Sequence, residues 1–297
     1  MINLSNPAVI REIMARHGFH FSKALGQNFI INPSVCPKMA EMAGAAPGVG
    51  AIEIGTGVGV LTAELATRAD KVVAIELDKR LLPVLEETLS DYRNITVINE
   101  DVLKVDLHKV IAEQFHGLDV IVCANLPYYI TSPILMSLLE QHLPIRSITV
   151  MVQKEAAQRI TALPGTRAVG AVSLAVRYYS EPKVLFPVSR GSFLPAPDVD
   201  STVIRLDLLS HPPIDIPDEG SFFQVVKAAF SQRRKTLSNS LTSGLSISKQ
   251  AAVELLEAAE IPLNARAEQL SMEQFGALSN AYWESKRPPQ HGSSPVI

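Results

Sequence analysis

Asn125, Leu126, Pro127 and Tyr128 follow directly on the apolar run from Val120 to Ala124. An amide, a backbone kink and an aromatic ring gathered at the end of a buried strand suit a particular chemistry. The exocyclic amine of adenine is a poor nucleophile because its lone pair is delocalised into the ring. Two acceptors, the Asn125 side-chain oxygen and the Leu126 backbone carbonyl, would draw that nitrogen toward sp3 character and free the lone pair for an electrophile. Pro127 fixes the turn, having no N–H to satisfy and a locked φ. Tyr128 offers a flat face on which a base stacks, worth roughly 1–3 kcal/mol. What remains is an activated methyl held in line, which is catalysis by proximity and needs no metal and no acid–base pair. The competing reading of the stretch is a turn with a packed aromatic.

A place for a nucleoside-type cofactor lies upstream. In the run from Ala51 to Leu65, "AIEIGTGVGVLTAEL", a strand gives way to a glycine turn and then to a helix. Gly55, Gly57 and Gly59 lack Cβ atoms, so a ligand can lie against the backbone there. The spacing is G-x-G-x-G, with Val60 at the sixth position of a dinucleotide fingerprint, and no G-x-x-x-x-G-K-[ST] implies a triphosphate. About 20 residues further on, a second strand ends at Glu76, where a carboxylate can accept bonds from both ribose hydroxyls. Asp101 follows a third strand and suits an adenine amino group; the N-cap of a short helix is its other reading.

These residues need a scaffold that brings strand ends together. From about residue 50 to 208, short β-branched runs alternate with helical patterns, which predicts an α/β fold with a mainly parallel sheet. Strands are expected over Ala51–Ile54, Val72–Glu76, Ile95–Asn99, Val120–Ala124 and Ser147–Val152. Helices are expected over Leu61–Arg68, Arg80–Leu89, Leu107–Phe115, Pro133–Glu140 and Lys154–Thr161. Val172–Tyr179 and Ser201–Leu208 read as two more strands joined by a long Pro-rich connection, and such a loop in a compact domain is usually functional. His211–Gly220 has the composition of a linker. Beyond it, Phe222–Phe230, Lys249–Ala259 and Met272–Trp283 carry apolar residues at helical spacing, predicting a small all-helical C-terminal domain with a disordered tail from Lys286. The expected division is residues 1–210, with 1–45 covering the cofactor, and 211–297.

The chain has 297 residues, 47% hydrophobic and 19% charged, the balance of a soluble protein with a sizeable core. No apolar run approaches the roughly 18 residues of a membrane span, and the N-terminus lacks the basic and apolar regions of a secretory signal. Cys36 and Cys123 are too few for a disulfide framework or a metal cluster, so a cytoplasmic location is expected. Cys123 reads as core packing rather than a nucleophile, Trp283 as core of the last helix, and His17 with His20 lack a third metal ligand. Net charge is −3, yet the basic residues are grouped. Arg11, Arg16, Lys23 and Lys38 stand near the N-terminus against Glu12, and Lys227, Arg233, Arg234, Lys235 and Lys249 fall in a stretch free of acid. Such faces suit phosphates, or are solvated helix surfaces.

The series Gly55-Thr-Gly57-Val-Gly59, Glu76, Asp101 and Asn125-Leu-Pro-Tyr128 resembles the motifs of S-adenosylmethionine-dependent methyltransferases with a Rossmann-like sheet. With "KALGQNFIINPSV" (Lys23–Val35), "SFLPAPDVDST" (Ser192–Thr202) and "AFSQRRKTLSNSL" (Ala229–Leu241), the chain resembles, over nearly its whole length, the small-subunit rRNA adenine dimethyltransferase family. The resemblance implies that Asn28 and Ile30 contact S-adenosyl-L-methionine, that Gly55 lies against its methionine part with Gly57 also binding the cofactor, that Glu76 holds the ribose and that Asp101 holds the adenine. It implies that Asn125 touches both cofactor and target amine, with Leu126 beside it, and that Tyr128 and Phe193 stack on the target base from opposite faces. Asn32 stands where the family commonly has Asp, a departure expected to matter little at a turn.

The implied reaction dimethylates N6 of two adjacent adenosines in the 3′-terminal hairpin loop of 16S rRNA, during ribosome biogenesis. The partner is then the small ribosomal subunit, with no membrane and no metal, and the protein is expected to be a monomer. A loop is a cheaper substrate than a duplex because its bases leave their stack more readily. A relative acting on one large-subunit adenine is the nearest rival, disfavoured by "FSQRRKTL" and by the nearly neutral charge. A subunit-binding protein whose methylation is incidental is the other, and the intact Asn125 and glycine turn speak for catalysis.

Overall fold

The computed structural model describes Ile2 and residues 4–22, 26–232 and 234–287. Lys23 and Arg233 of the basic groups, and residues 288–297 of the expected disordered tail, lie outside the described residues. The chain forms two compact units. One comprises Met1–Thr161 with Tyr179–Leu209, the other Ala162–Tyr178 with the chain from Ser210 onward.

The first unit opens with α1 (Pro7–Arg16), whose Asn6 cap accepts from the Ala8 N–H. A two-residue strand β1 (Phe29–Ile30) and α2 (Val35–Ala43) follow. Then come β2 (Val49–Ile54), α3 (Val60–Ala66), β3 (Lys71–Glu76), α4 (Leu82–Thr88), β4 (Ile95–Asn99), α5 (Leu107–Gln114) and β5 (Asp119–Asn125). The alternation continues through α6 (Thr131–Glu140), β6 (Ser147–Gln153) and α7 (Lys154–Ile160). After α8 (Ala171–Tyr179), the sheet is completed by β7 (Ser180–Val188) and β9 (Ser201–Leu208), with the short β8 (Phe193–Leu194) between them.

The seven-stranded sheet has the order β4-β3-β2-β5-β6-β9-β7. Neighbours from β4 to β6 are parallel, and β9 runs antiparallel to both β6 and β7. Helices cover parallel strands on both faces, so such strands read as continuous apolar runs. Ile52, Ile121 and Val122 are accordingly fully buried, each side chain worth about 1.5–3 kcal/mol relative to exposure. From β2 the chain proceeds to β3 and β4 on one side and then crosses to β5 on the other. The strand order therefore reverses between β2 and β5, and ligands in open α/β sheets bind outside the strand ends at that reversal.

Two features differ from the sequence expectation. Val172–Tyr179, rich in β-formers, is helix. Leu174, Ala175, Val176 and Tyr178 are all buried, and the Tyr178 ring stacks on Phe222 at 5.1 Å between centroids. Burial on most sides of this helix outweighs β propensity, which is strongly context-dependent. The strand expected there is instead β7, which begins at Ser180 and contains two prolines; it lies at the sheet edge, where a missing N–H costs little. Residues 162–178 consequently fold with the C-terminal helices, and only the later passage, at Leu209–Ser210, is marked by composition.

In the second unit, α9 (Glu219–Ala229) packs against α10 (Leu237–Gly244) and α12 (Met272–Ser285), with α11 (Lys249–Ala258) between the latter two in sequence. Gly244 permits the close approach of α10 to α9, since a Cβ there would meet the Ala228 Cα at 2.6 Å. Phe222 and Phe275 are fully buried. The expected linker is packed, with Ile214 against Gly276, and Asp218 caps α9 by accepting from the Ser221 N–H at 2.6 Å. Tyr282 faces the core of α12, whereas Trp283 is only half-buried beneath the Arg287 guanidinium, 5.5 Å from its ring.

Candidate active site

The reversal of strand order brings the glycine turn and the Asn125 turn side by side. Gly55 ends β2 with φ 77°, and a Cβ built on it would lie 3.8 Å from the Asn125 carbonyl oxygen. A left-handed backbone of this kind favours glycine. A single cavity extends from this junction, lined by Gly55, Gly57, Glu76, Asp101, Asn125 and Tyr128, and also by Asn28, Ile30 and Leu126. Sequence reasoning therefore named residues that the fold does gather, from five separate stretches of chain.

The cover over the cavity comes from residues 26–30. Phe29 lies on the glycine turn, where a Cβ on Gly57 would meet its ring at 3.0 Å. Gly26 lies on the other turn, its Cβ direction 3.4 Å from the Tyr129 ring and 3.6 Å from Pro127. Between them, the Asn28 carbonyl accepts from the Asn125 side-chain nitrogen at 3.3 Å, and the Asn28 amide donates to the Gly26 carbonyl. β1 holds the cover in place by pairing antiparallel with β8, Phe29 opposite Leu194 and Ile30 opposite Phe193. Asn32 extends the clasp: its Nδ2 donates to Ser192 Oγ at 3.1 Å while its Oδ1 accepts from the Ser34 N–H and hydroxyl. An amide performs both parts at this turn.

Phe193 is not brought to the cavity. It is 3% exposed and packs in the hydrophobic cluster with Ile30, Val35, Met39, Met151 and Val203. Pairing with β1 turns the ring into the core, so in this arrangement it presents no face to a base. Tyr128 does line the cavity and is half-buried, its hydroxyl 2.8 Å from Ser201 Oγ. Burial raises its phenol above the usual value, offset in part by that hydrogen bond.

Glu76 is 6% exposed, and burial raises its carboxyl despite the hydrogen bonds it accepts from Asp78, Thr56 and Gly57. Its Oε2 accepts from Thr56 Oγ1 at 2.9 Å and the Gly57 N–H at 3.3 Å, and its Oε1 from the Asp78 N–H at 2.8 Å. A carboxylate has about four acceptor sites, and these protein donors hold it in place at the cavity wall. Asp101 lines the cavity while its Oδ1 accepts from the Leu103 N–H at 3.1 Å. Its turn-capping role and its access to a ligand coexist.

Two contributors escaped sequence reasoning. Glu53, in the penultimate position of β2, lines the cavity at 1% exposure, and its Oε2 finds no hydrogen-bond donor among the described residues. Burial pushes its carboxyl well above the ordinary range. The signal was an acid inside an otherwise apolar strand. Gln27 is the second: its Nε2 donates to Asp78 Oδ2 and its Oε1 accepts from the Ser22 N–H, both at 2.8 Å. Asp78 is held below the usual carboxylate range chiefly by its bonds to Arg80, with Gln27 adding to them. Cys123, by contrast, is fully buried and its thiol is pushed up by burial, which fits packing.

The basic groups are partly engaged. Arg16 pairs with Glu87 at 2.9 Å, His17 meets the same carboxylate at 2.7 Å, and the Lys38 ammonium lies 4.3 Å from the Phe186 ring. Lys249 donates to Ser238 Oγ and Asn239 Oδ1. Lys227, Arg234 and Lys235 are exposed. Among the described residues no group of His, Cys, Asp or Glu is arranged to hold a metal ion, and no helix is long and apolar enough to cross a membrane.

An open, mainly parallel sheet with a glycine turn and a buried acid at neighbouring strand ends, facing an Asn-Leu-Pro-Tyr turn across one cavity, defines an S-adenosylmethionine-dependent methyltransferase of Rossmann-like fold. The family model for ribosomal RNA adenine dimethylase matches residues 18–283. The chain belongs to that family, and its activity is S-adenosylmethionine-dependent dimethylation of adenine in ribosomal RNA. It is 51% identical over 283 residues to the ribosomal RNA small subunit methyltransferase A of Geobacillus thermodenitrificans, covering 94% of this chain and 97% of that protein. It is 49% identical over 281 residues to the protein of the same name from Alkaliphilus oremlandii, covering 94% and 98%. Among solved structures, the 23S rRNA methyltransferase ErmE is 27% identical with a TM-score of 0.65, covering 86% of this chain and 99% of that one. A dimethyladenosine transferase from Plasmodium falciparum shares the fold, with a TM-score of 0.69 at 24% identity over 84% of this chain and 95% of that one.

Proposed function

We propose that the protein dimethylates N6 of two adjacent adenosines in the 3′-terminal hairpin loop of 16S rRNA, acting on the small ribosomal subunit during its biogenesis. The observation that carries the adenine chemistry is the orientation of Asn125. Its nitrogen is occupied by the Asn28 carbonyl, which leaves its oxygen as the acceptor that an adenine amine requires. In this reading the amine donates to Asn125 Oδ1 and to the Leu126 carbonyl while the base rests on Tyr128. The nitrogen lone pair then attacks the methyl carbon, the carbon–sulfur bond breaks, and the amine proton leaves to solvent. Residues 26–30 cover the cofactor, the ribose hydroxyls bond to Glu76, and the adenine amino group reaches Asp101.

The choice of subunit is supported by the two relatives near 50% identity, both named for the small subunit. The likeness to the 23S rRNA enzyme is at 27%. The test uses methyl-labelled S-adenosylmethionine with small subunits that lack these modifications, and large subunits as control. Labelled N6,N6-dimethyladenosine from small subunits, approaching two per particle, is the expected result. Label confined to large-subunit RNA would assign the protein to the other substrate.

A further inference from the structure

Tyr129 is the most exposed large hydrophobic side chain among the described residues, at 59%. It is also a wall of the active-site cavity. The two facts together place it at the mouth. Its ring is supported rather than loose, since Gly26 packs beneath it with a Cβ direction 3.4 Å from the ring edge. A Cβ at position 26 would make ordinary van der Waals contact with that ring, while the φ of 60° there favours glycine.

Tyr128 and Tyr129 occupy successive positions of a short 3-10 turn, Tyr128–Ile130. At about 3 residues per turn, neighbouring side chains diverge by roughly 120°. The two rings therefore cannot sandwich one base. Tyr128 is half-buried with its hydroxyl fixed to Ser201, whereas the Tyr129 hydroxyl makes no hydrogen bond to the described residues. An RNA strand that delivers one base into the cavity must carry its neighbour past the mouth, with that neighbour's stacking partner removed. An exposed, supported aromatic at that point offers a replacement, and base–aromatic stacking is sequence-tolerant.

We propose that Tyr129 is the platform for the nucleotide flanking the target adenosine, so that it positions RNA at the cavity mouth and takes no part in methyl transfer itself. This rests on the functional reading above. Stacking replaces what the flanking base loses when its neighbour is extruded, so removal of the ring weakens RNA engagement more than chemistry.

The experiment compares Tyr129→Ala, Tyr129→Phe and Tyr129→Trp for methylation of small subunits lacking the modification. A model hairpin carrying 2-aminopurine beside the target adenosine reports stacking by fluorescence quenching. The expected result is a KM for subunits raised about 10-fold in the alanine variant, with kcat changed much less. Phe and Trp should restore KM to near the wild-type value, and quenching should follow the same order. An unchanged KM in the alanine variant overturns the inference while leaving the functional reading intact, and so does a phenylalanine variant as impaired as alanine. Absence of small-subunit methylation by the wild-type protein overturns the reading and the inference with it.

Discussion

The side-chain nitrogen of Asn125 donates to the carbonyl oxygen of Asn28, 3.3 Å away and 97 residues apart in sequence. The contact ties the cover to the Asn125 turn and fixes which end of the amide is free. Asn125→Ala should therefore lower kcat by about 10²-fold or more, with binding of S-adenosylmethionine, followed calorimetrically, affected far less. Asn125→Asp keeps an oxygen but cannot donate to Asn28. It should be no more active than alanine, and an active aspartate variant would show the tie to be dispensable.

The inner parallel strands are legible because each is an apolar run buried on both faces, while the more exposed Ile95–Asn99 is legible from its β-branched residues and matches β4 at both ends. The glycine turn, Glu76, Asp101 and Asn125 were legible because a parallel sheet brings successive strand ends to one edge. β1 and β8 were not, since each has two residues and exists through its partner. α8 was misread because its valines and tyrosines favour strands until the aromatic cluster around Phe222 claims one side of them. Glu53 was hidden by the apolar neighbours that bury it.

Phe193 belongs to the core in this arrangement, and substitutions can separate that role from stacking. Phe193→Ala should cost about 3–5 kcal/mol of stability, visible as a lower midpoint in chemical denaturation. Phe193→Leu fills most of the space and should keep most of kcat. A leucine variant that is stable yet inactive would return the ring to the base.

Glu53 sets a pH dependence whose sign follows from its raised carboxyl pKa. A group that holds its proton more tightly when folded favours the folded state fully below its ordinary pKa, roughly 4.3. That contribution is lost as pH rises through the raised value. Glu76 acts in the same direction, while Asp78, lowered by Arg80, acts in the opposite one at acid pH. Thermal unfolding of the cofactor-free protein should thus show Tm declining above the ordinary carboxyl range, less steeply in Glu53→Gln. An identical slope in the variant would assign the decline elsewhere.

Gln27 joins the cover to the strand end at Asp78. Gln27→Ala should accelerate cofactor release roughly 10-fold, the scale of a hydrogen bond to a charged group, with kcat at saturating cofactor largely kept. Gln27→Glu would set like charges against each other and should be worse. Stopped-flow displacement of the bound cofactor would rank the three.

The clasp between Asn32 and Ser192 spans 160 residues, and this has a consequence for synthesis. The N-terminal cover emerges from the ribosome early, but the strand that anchors it arrives only after most of the sheet has been made. At roughly 5–20 residues per second, the interval is about 10–30 s. During that time the nascent chain carries its glycine turn without the anchored cover over it. The anchored cover is completed only near the end of translation of the first unit, so a chain truncated before Phe193 would carry the motifs without it.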